Sequence, residues 1–133
     1  MSTLQHAIKI HAPRPRVYQA LTDTAQVARW HMGEVEGAIA AGAVLTLVPR
    51  PGLAFGWRTD SLETDQRIVQ TSLQNCGAAN GKRLVFELQD AGDGYTTLRL
   101  SDGEWRADDP HLAFCNTHWG DALNRLKDFV EQP

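Results

Sequence analysis

The sequence is poor in cysteine, has no long hydrophobic run and carries no excess of positive charge. Its 133 residues include two cysteines, Cys76 and Cys115, which predict free thiols rather than a disulfide framework. The most apolar stretch, from Gly37 to Val48, is shorter than the roughly 20 residues that a membrane-spanning helix needs. The 13 basic residues are dispersed and the formal net charge is −3, so nucleic acid is not an expected partner.

Targeting signals and familiar catalytic motifs are also missing. The opening residues MSTLQHAIKI have neither the basic region nor the long apolar region of a secretory signal, so we expect a cytoplasmic protein. No G-x-S-x-G elbow, H-E-x-x-H, C-x-x-C or phosphate-binding glycine loop occurs, and no paired carboxylates are visible. The sequence therefore predicts no cofactor and no membrane span.

The residues that are present predict one globular domain over residues 1–133. The chain is 42% hydrophobic and 22% charged, which suits a single core at this length. Apolar residues alternate with polar ones from Leu4 to Ile10, as in a strand with one buried face. Many short apolar stretches with turns between them follow from Gly33 to Glu104. This pattern favours an antiparallel sheet over a parallel α/β sheet.

Three helices are predicted around these strands. Pro13 and Pro15 fall in the first turn of a short helix, and Asp23 begins a second one that carries Trp30,. A long helix follows Asp109, an expected N-cap, with Pro110 as its first residue. Its apolar stripe consists of Cys115, Trp119, Ala122, Leu123, Leu126 and Val130, which predicts that the helix lies on the sheet. Gly120 inside it suggests a close backbone approach or a cavity wall.

Several stretches resemble a known superfamily. The first is Ile8-x-Ile10-x-Ala12-Pro13-x-x-x-Val17-x-x-Ala20-Leu21-Thr22-Asp23, followed by Ala28-Arg29-Trp30. The others are Leu62-Glu63 with Arg67-Ile68-Val69, and Trp119-x-x-x-Leu123-x-x-Leu126-Lys127-x-Phe129-Val130. Together they are similar to the START-like (SRPBCC) superfamily, and within it to bacterial homologues of the activator of the heat-shock-protein-90 ATPase. The sequence departs from that branch at His31, Gly42 and His118.

This resemblance implies an α+β helix-grip fold. In such a fold a curved antiparallel sheet wraps around the long C-terminal helix, two short helices follow the first strand, and a cavity lies between sheet and helix. The resemblance specifies the fold better than the function, because one fold hosts many functions.

Three residues of the C-terminal helix have the spacing of metal ligands. His111, Cys115 and His118 stand at i, i+4 and i+7 and could bind zinc with an open position for water. The structural interpretation is stronger, because this sector flanks the apolar stripe and Cys115 is readily buried as a small hydrophobe. We therefore predict no metal. His118 alone is the better candidate for a polar group in the cavity, and the only candidate catalytic residue.

The aromatic content points to a small-molecule site. Four tryptophans occur in the chain; their usual role is in the core, yet an aromatic-lined pocket is also the common form of an apolar ligand site. The predicted ligand-binding residues are Trp30, His31, Trp57, Phe86, Phe114, His118 and Trp119. The leading hypothesis is binding of a small hydrophobic molecule. The alternatives are an enzyme of the cyclase, dehydratase or hydrolase type that uses His118, and a chaperone-associated adaptor; a homodimer is possible under each.

Overall fold

The first strand and the two helices after it lie where the sequence predicts them. The computed structural model describes residues 1–31, 33–75 and 81–132. Strand β1 spans Ser2–Ile10, and helices α1 and α2 span Arg14–Thr22 and Thr24–Trp30. Asp23 caps α2 because its Oδ1 accepts a hydrogen bond from the Ala25 backbone N–H at 3.0 Å,. Trp30 is the last residue of α2 and points inward, at the edge of the core.

The remaining strands form one antiparallel sheet with β1. They are β2 (Glu34–Gly37), β3 (Val44–Arg50), β4 (Leu53–Glu63), β5 (Arg67–Asn75), β6 (Arg83–Gly92) and β7 (Tyr95–Trp105). The strand order is β1-β7-β6-β5-β4-β3-β2. Consecutive strands are therefore neighbours, except that β1 pairs with β7 from the far end of the chain. The predicted antiparallel sheet is confirmed.

The C-terminal helix α3 spans Leu112–Glu131 and packs on the sheet and on the two short helices. It begins two residues later than predicted. The Asp109 side chain accepts a hydrogen bond from the His111 backbone N–H at 2.9 Å, and this turn precedes the helix, with His111 as the N-cap,. Within the described ranges, no helix combines the length and the apolarity that a membrane crossing requires.

The core lies between the inner face of the sheet and α3. Its fully buried side chains include Ile10, Leu98 and Leu126, which come from β1, β7 and α3. The period-two alternation of the strands and the stripe of α3 place these residues on facing surfaces. The fold is thus the predicted α+β helix-grip arrangement.

Two glycines hold the short edge strand β2 against β3. Gly33 and Gly37 have φ values of 95° and 92°, which L side chains rarely adopt. A Cβ atom would lie 2.0 Å from the Val48 carbonyl oxygen at Gly33, and 2.1 Å from the Val44 carbonyl oxygen at Gly37. Gly120 is different, because a Cβ there would only meet His6 Cε1 at 3.9 Å. The close approach expected at Gly120 is therefore wrong.

Candidate functional site

The candidate site lies under α3, where the end of α2 meets the inner face of the sheet. Four aromatic side chains converge there from different elements: Trp30 from α2, Trp57 from β4, Phe86 from β6 and Trp119 from α3. Each is almost completely buried. The alternation of β4 and β6 directs Trp57 and Phe86 inward, and the stripe of α3 directs Trp119 down onto them.

An inner cavity opens between these residues. Its lining consists of Leu21, Val27, Trp30, His31, Ile39, Leu45, Leu47, Trp57, Gln70, Leu84, Phe86 and Trp119. His31 and Gln70 are the polar members of this otherwise apolar lining. The cavity offers about 30 Å³ to water-sized groups, which is the space of roughly two water molecules.

A second, outer cavity lies on the other side of the Trp57 and Trp119 side chains. Its lining consists of Phe55, Trp57, Asp102, Trp105, Cys115, His118 and Trp119, around a space of about 20 Å³. Trp57 and Trp119 line both cavities, and their ring centroids are 6.2 Å apart. This pair of indoles therefore forms the partition between the two spaces.

Hydrogen bonds fix two of the indole rings. The Trp30 Nε1–H donates to the Ala20 carbonyl oxygen at 2.8 Å, and the Trp119 Nε1–H donates to Asp102 Oδ2 at 3.1 Å. Phe86 meets Trp119 edge to face, with ring planes at 81° and centroids 6.0 Å apart, a favourable aromatic geometry. Trp119 is thus held by one polar contact and by ring contacts with Trp57, Phe86 and His118.

Two histidines meet beside the partition. The Nε2 atoms of His31 and His118 are 3.4 Å apart, which is hydrogen-bond distance, and the tautomers of the two rings set which N–H donates and which nitrogen accepts. His31 is only 2% exposed. Burial, together with the smaller effects of the charges of His31 and Arg125, lowers the pKa of His118 from 6.5 to about 4, and the charge of Asp121 opposes this shift. His118 is therefore neutral at pH 7 and can accept a hydrogen bond or a proton.

Asp102 places a carboxyl group at the outer cavity. Burial raises its pKa, and the hydrogen bond from Trp119 and the charge of Lys82 partly offset this effect. Sequence reasoning did not single out Asp102. The alternation of side chains along β7 could have identified it. Leu98, Leu100 and Asp102 lie on the same face of the strand, and the two leucines are fully buried,.

The structure places most of the predicted ligand-binding residues around the two cavities. Trp30, His31, Trp57, Phe86, His118 and Trp119 line one or both of them. Phe114 does not, since its side chain is 75% exposed and belongs to neither lining. Phe114 is exposed because it lies one residue, or about 100° of helical rotation, from Cys115 on the inward side. Ligand contact by all seven residues stays a prediction.

The three residues with metal-ligand spacing are not assembled into a metal centre. Among residues 1–31, 33–75 and 81–132, no group of three or more His, Cys, Asp or Glu side chains is arranged to hold a metal ion. Cys115 lines the outer cavity together with His118, whereas His111 is the helix N-cap. Cys76 lies outside the described residues, so the expectation about the two thiols stays a prediction.

The fold and the cavities place the chain in the START-like (SRPBCC) class of helix-grip proteins. A family model described as "Activator of Hsp90 ATPase homolog 1-like protein" matches residues 11–131. The chain belongs to this family. Among curated proteins, none matches the sequence.

Solved structures share the fold over nearly the whole chain. The solution structure of the Aha1 dimer from Colwellia psychrerythraea is 25% identical, with a TM-score of 0.89 over 98% of this chain and 97% of that one. CalU16 from Micromonospora echinospora is 22% identical, with a TM-score of 0.80 over 97% of this chain and 76% of that one. DynU16, a putative protein in the dynemicin biosynthetic locus, is 22% identical, with a TM-score of 0.83; the match covers 99% of this chain and 48% of DynU16.

Proposed function

We propose that the protein binds a small apolar molecule in the inner cavity between the sheet and α3. The observation that carries this proposal is the cavity lining, in which three tryptophans, a phenylalanine and several aliphatic residues surround a space with two polar side chains, His31 and Gln70, in its wall. Sites for small molecules usually have this composition, with apolar walls and a few polar groups that orient the ligand.

Binding requires the cavity to widen. Its present space of about 30 Å³ is below the several hundred Å³ of typical ligand pockets, roughly 300–1,000 Å³. Ile39 is the wall residue best placed to move, because it lies on the connection between β2 and β3 rather than within a strand,. We assign the entrance to this side, where a displaced Ile39 would admit a flat apolar molecule.

Filling the inner cavity should abolish binding. Leu45 lines the cavity, and its neighbour Val44 is 44% exposed on the other face of β3. In Leu45→Phe the added ring occupies the space of the ligand, and the affinity for the neutral dye N-phenyl-1-naphthylamine is expected to fall at least about tenfold, equivalent to about 1.4 kcal/mol. The measurement is a fluorescence titration, with Val44→Phe as the matched control that keeps wild-type affinity.

Two results would contradict the proposal. One is a wild-type protein that binds neither the dye nor any copurified molecule in native mass spectrometry. The other is an equal loss of affinity in Val44→Phe and Leu45→Phe, which would place the dye elsewhere. Since overpacking costs about 1–3 kcal/mol, the folded state of Leu45→Phe is checked by urea unfolding before the titration.

A second candidate function is proton-transfer catalysis in the outer cavity. It is favoured by the three titratable side chains that line this cavity, Asp102, Cys115 and His118, because an enzyme of this kind needs at least two convergent groups. His118 is neutral at pH 7, which is the protonation state that a general base needs, and general-base catalysis contributes about 100-fold or more in rate.

A model ester tests this candidate. If His118 is the base, His118→Phe should lower the hydrolysis rate of 4-nitrophenyl acetate by about 100-fold. His11→Phe is the control, because His11 stacks on Tyr95 with centroids 4.4 Å apart and lines neither cavity. A wild-type rate no greater than that of buffer removes the candidate.

We also propose that the chain forms a homodimer. The proposal is supported by the likeness to the Aha1 dimer from Colwellia psychrerythraea. The native mass spectrum gives the assembly state directly. A cytoplasmic location stays a prediction.

A further inference from the structure

The Trp105 indole has an unused hydrogen-bond donor. Trp105 is 1% exposed, and its Nε1–H is buried without a hydrogen-bond partner. An unpaired buried donor costs about 1–3 kcal/mol, so such groups are rare in folded proteins. By contrast, the indole N–H groups of Trp30 and Trp119 in the same region each donate a hydrogen bond.

An acceptor with spare capacity lies beside this donor. Asp102 and Trp105 both line the outer cavity. Asp102 Oδ2 accepts from Trp119, and no hydrogen bond within the described residues uses its Oδ1. The Trp105 N–H is close enough to lower the pKa of the Asp102 carboxyl, yet its geometry falls short of a hydrogen bond. The outer cavity thus offers a donor and an acceptor to the same small group.

We infer that the outer cavity holds the hydroxyl group of an aromatic ligand, whose O–H donates to Asp102 and whose oxygen accepts from Trp105 Nε1. A hydroxyl both donates and accepts through one oxygen. A carbonyl would leave Asp102 Oδ1 without a donor, an ammonium would leave Trp105 without an acceptor, and a carboxylate would face another carboxylate. The space of about 20 Å³ also suits a group the size of one water.

Aromatic faces beside the hydroxyl position favour a flat ring. Phe55 stacks on Trp57 with centroids 6.0 Å apart and planes at 29°, and His118 stacks on Phe55 at 5.7 Å and 30°. A planar ring inserted along these faces keeps the stacked geometry that aromatic side chains prefer. The ligand class is therefore a phenol, and this inference rests on the proposed function because the Trp57 and Trp119 side chains line both cavities.

Phenol and toluene form a matched pair of probes that differ only in hydroxyl against methyl. Binding is followed in ¹⁵N-labelled protein through the indole N–H signals, assigned with the Trp→Phe variants. Phenol is expected to shift the Trp105 indole signal, whereas toluene shifts the signals of the cavity walls and leaves Trp105 in place. In Trp105→Phe the affinity for phenol is expected to fall about tenfold, and the affinity for toluene to stay unchanged.

Two further variants separate the hydroxyl site from general packing. Asp102→Asn keeps an acceptor for Trp119 but removes the charge, and should also reduce the affinity for phenol relative to toluene. Trp30→Phe is the matched control, because its N–H is already bonded to the Ala20 carbonyl oxygen and lies outside the outer cavity. It should leave the ratio of the two affinities unchanged.

The outcomes distinguish this inference from the proposed function. If toluene and phenol both bind, but phenol leaves the Trp105 signal unmoved and the affinity ratio is the same in Trp105→Phe, the hydroxyl site is overturned and the apolar cavity stands. If neither probe binds up to its solubility, both proposals are overturned. The wild-type Trp105 signal decides even if Trp105→Phe fails to fold.

Discussion

Replacing Trp119 with alanine is expected to lower the free energy of unfolding by about 3–5 kcal/mol, the range for removing a large aromatic side chain from a core. Trp119 is buried, contacts the rings of Trp57 and Phe86 and donates to Asp102. The truncation therefore removes packing and also leaves a buried carboxyl without its donor. Urea unfolding followed by far-UV circular dichroism gives the size of the loss.

The exposed Phe114 on the same helix provides the control. Phe114→Ala removes an aromatic ring of similar size from a surface position, and its effect should stay within about 0.5 kcal/mol. Equal losses in Trp119→Ala and Phe114→Ala would contradict the packing described for α3.

Trp119→Ala should also join the two cavities, since the lost side chain is half of their partition. Indole then fits the joined space and is expected to restore stability, by about 2.7 kcal/mol at 100 times its Kd. Indole should not change the stability of Phe114→Ala. A Trp119→Ala protein that indole does not stabilise would indicate that the surrounding residues collapse into the space.

Acid should destabilise the protein through His118, by at most about 3 kcal/mol between pH 6.5 and 4. The pKa of His118 falls from 6.5 to about 4 in the folded protein, so the unfolded chain takes up a proton in this window and the folded one does not. The contribution of neutral His118 to the free energy of unfolding is thus complete above pH 6.5. It is lost as the pH falls toward 4, at about 1.36 kcal/mol per pH unit.

His118→Phe removes this titration and keeps a ring to stack on Phe55. Relative to wild type, the variant should gain stability steadily from pH 6.5 to 4, while the difference between the two stays constant above pH 7. The measurement is urea unfolding at half-unit pH steps. His118→Asn, which is polar but does not titrate, should show the same gain relative to wild type from pH 6.5 to 4; a wild-type slope in both variants would mean that other groups set the acid response.

Most of the fold could be predicted because local patterns agreed with the tertiary structure. Alternation from Leu4 to Ile10, the cap at Asp23 and the stripe of α3 each report which side of an element is buried. The start of α3 could not be predicted, because Asp109 is equally suited to cap a helix and to close a turn, and only the surrounding packing decides between them.

The site was harder to predict than the fold. The tryptophans could be identified because large aromatic residues at the ends of elements tend to converge. Phe114 shows that residue type alone does not predict whether a helical residue faces the core, because its position around the helix axis also matters. Asp102 was missed because an acidic residue on a strand is normally assigned to the surface. The volumes of the two cavities depend on side-chain packing at the scale of one ångström, which no spacing in the sequence reports.

The pairing of β1 with β7 has a kinetic consequence. Ile10 lies opposite Thr96, and Ser2 lies opposite Trp105, so the sheet is complete only when distant parts of the chain have met. Contacts of such large sequence separation slow folding, because loop closure costs entropy before the contacts compensate for it. Until β7 arrives, the inward-facing residues of β1 have no cover, and during this interval aggregation competes with folding.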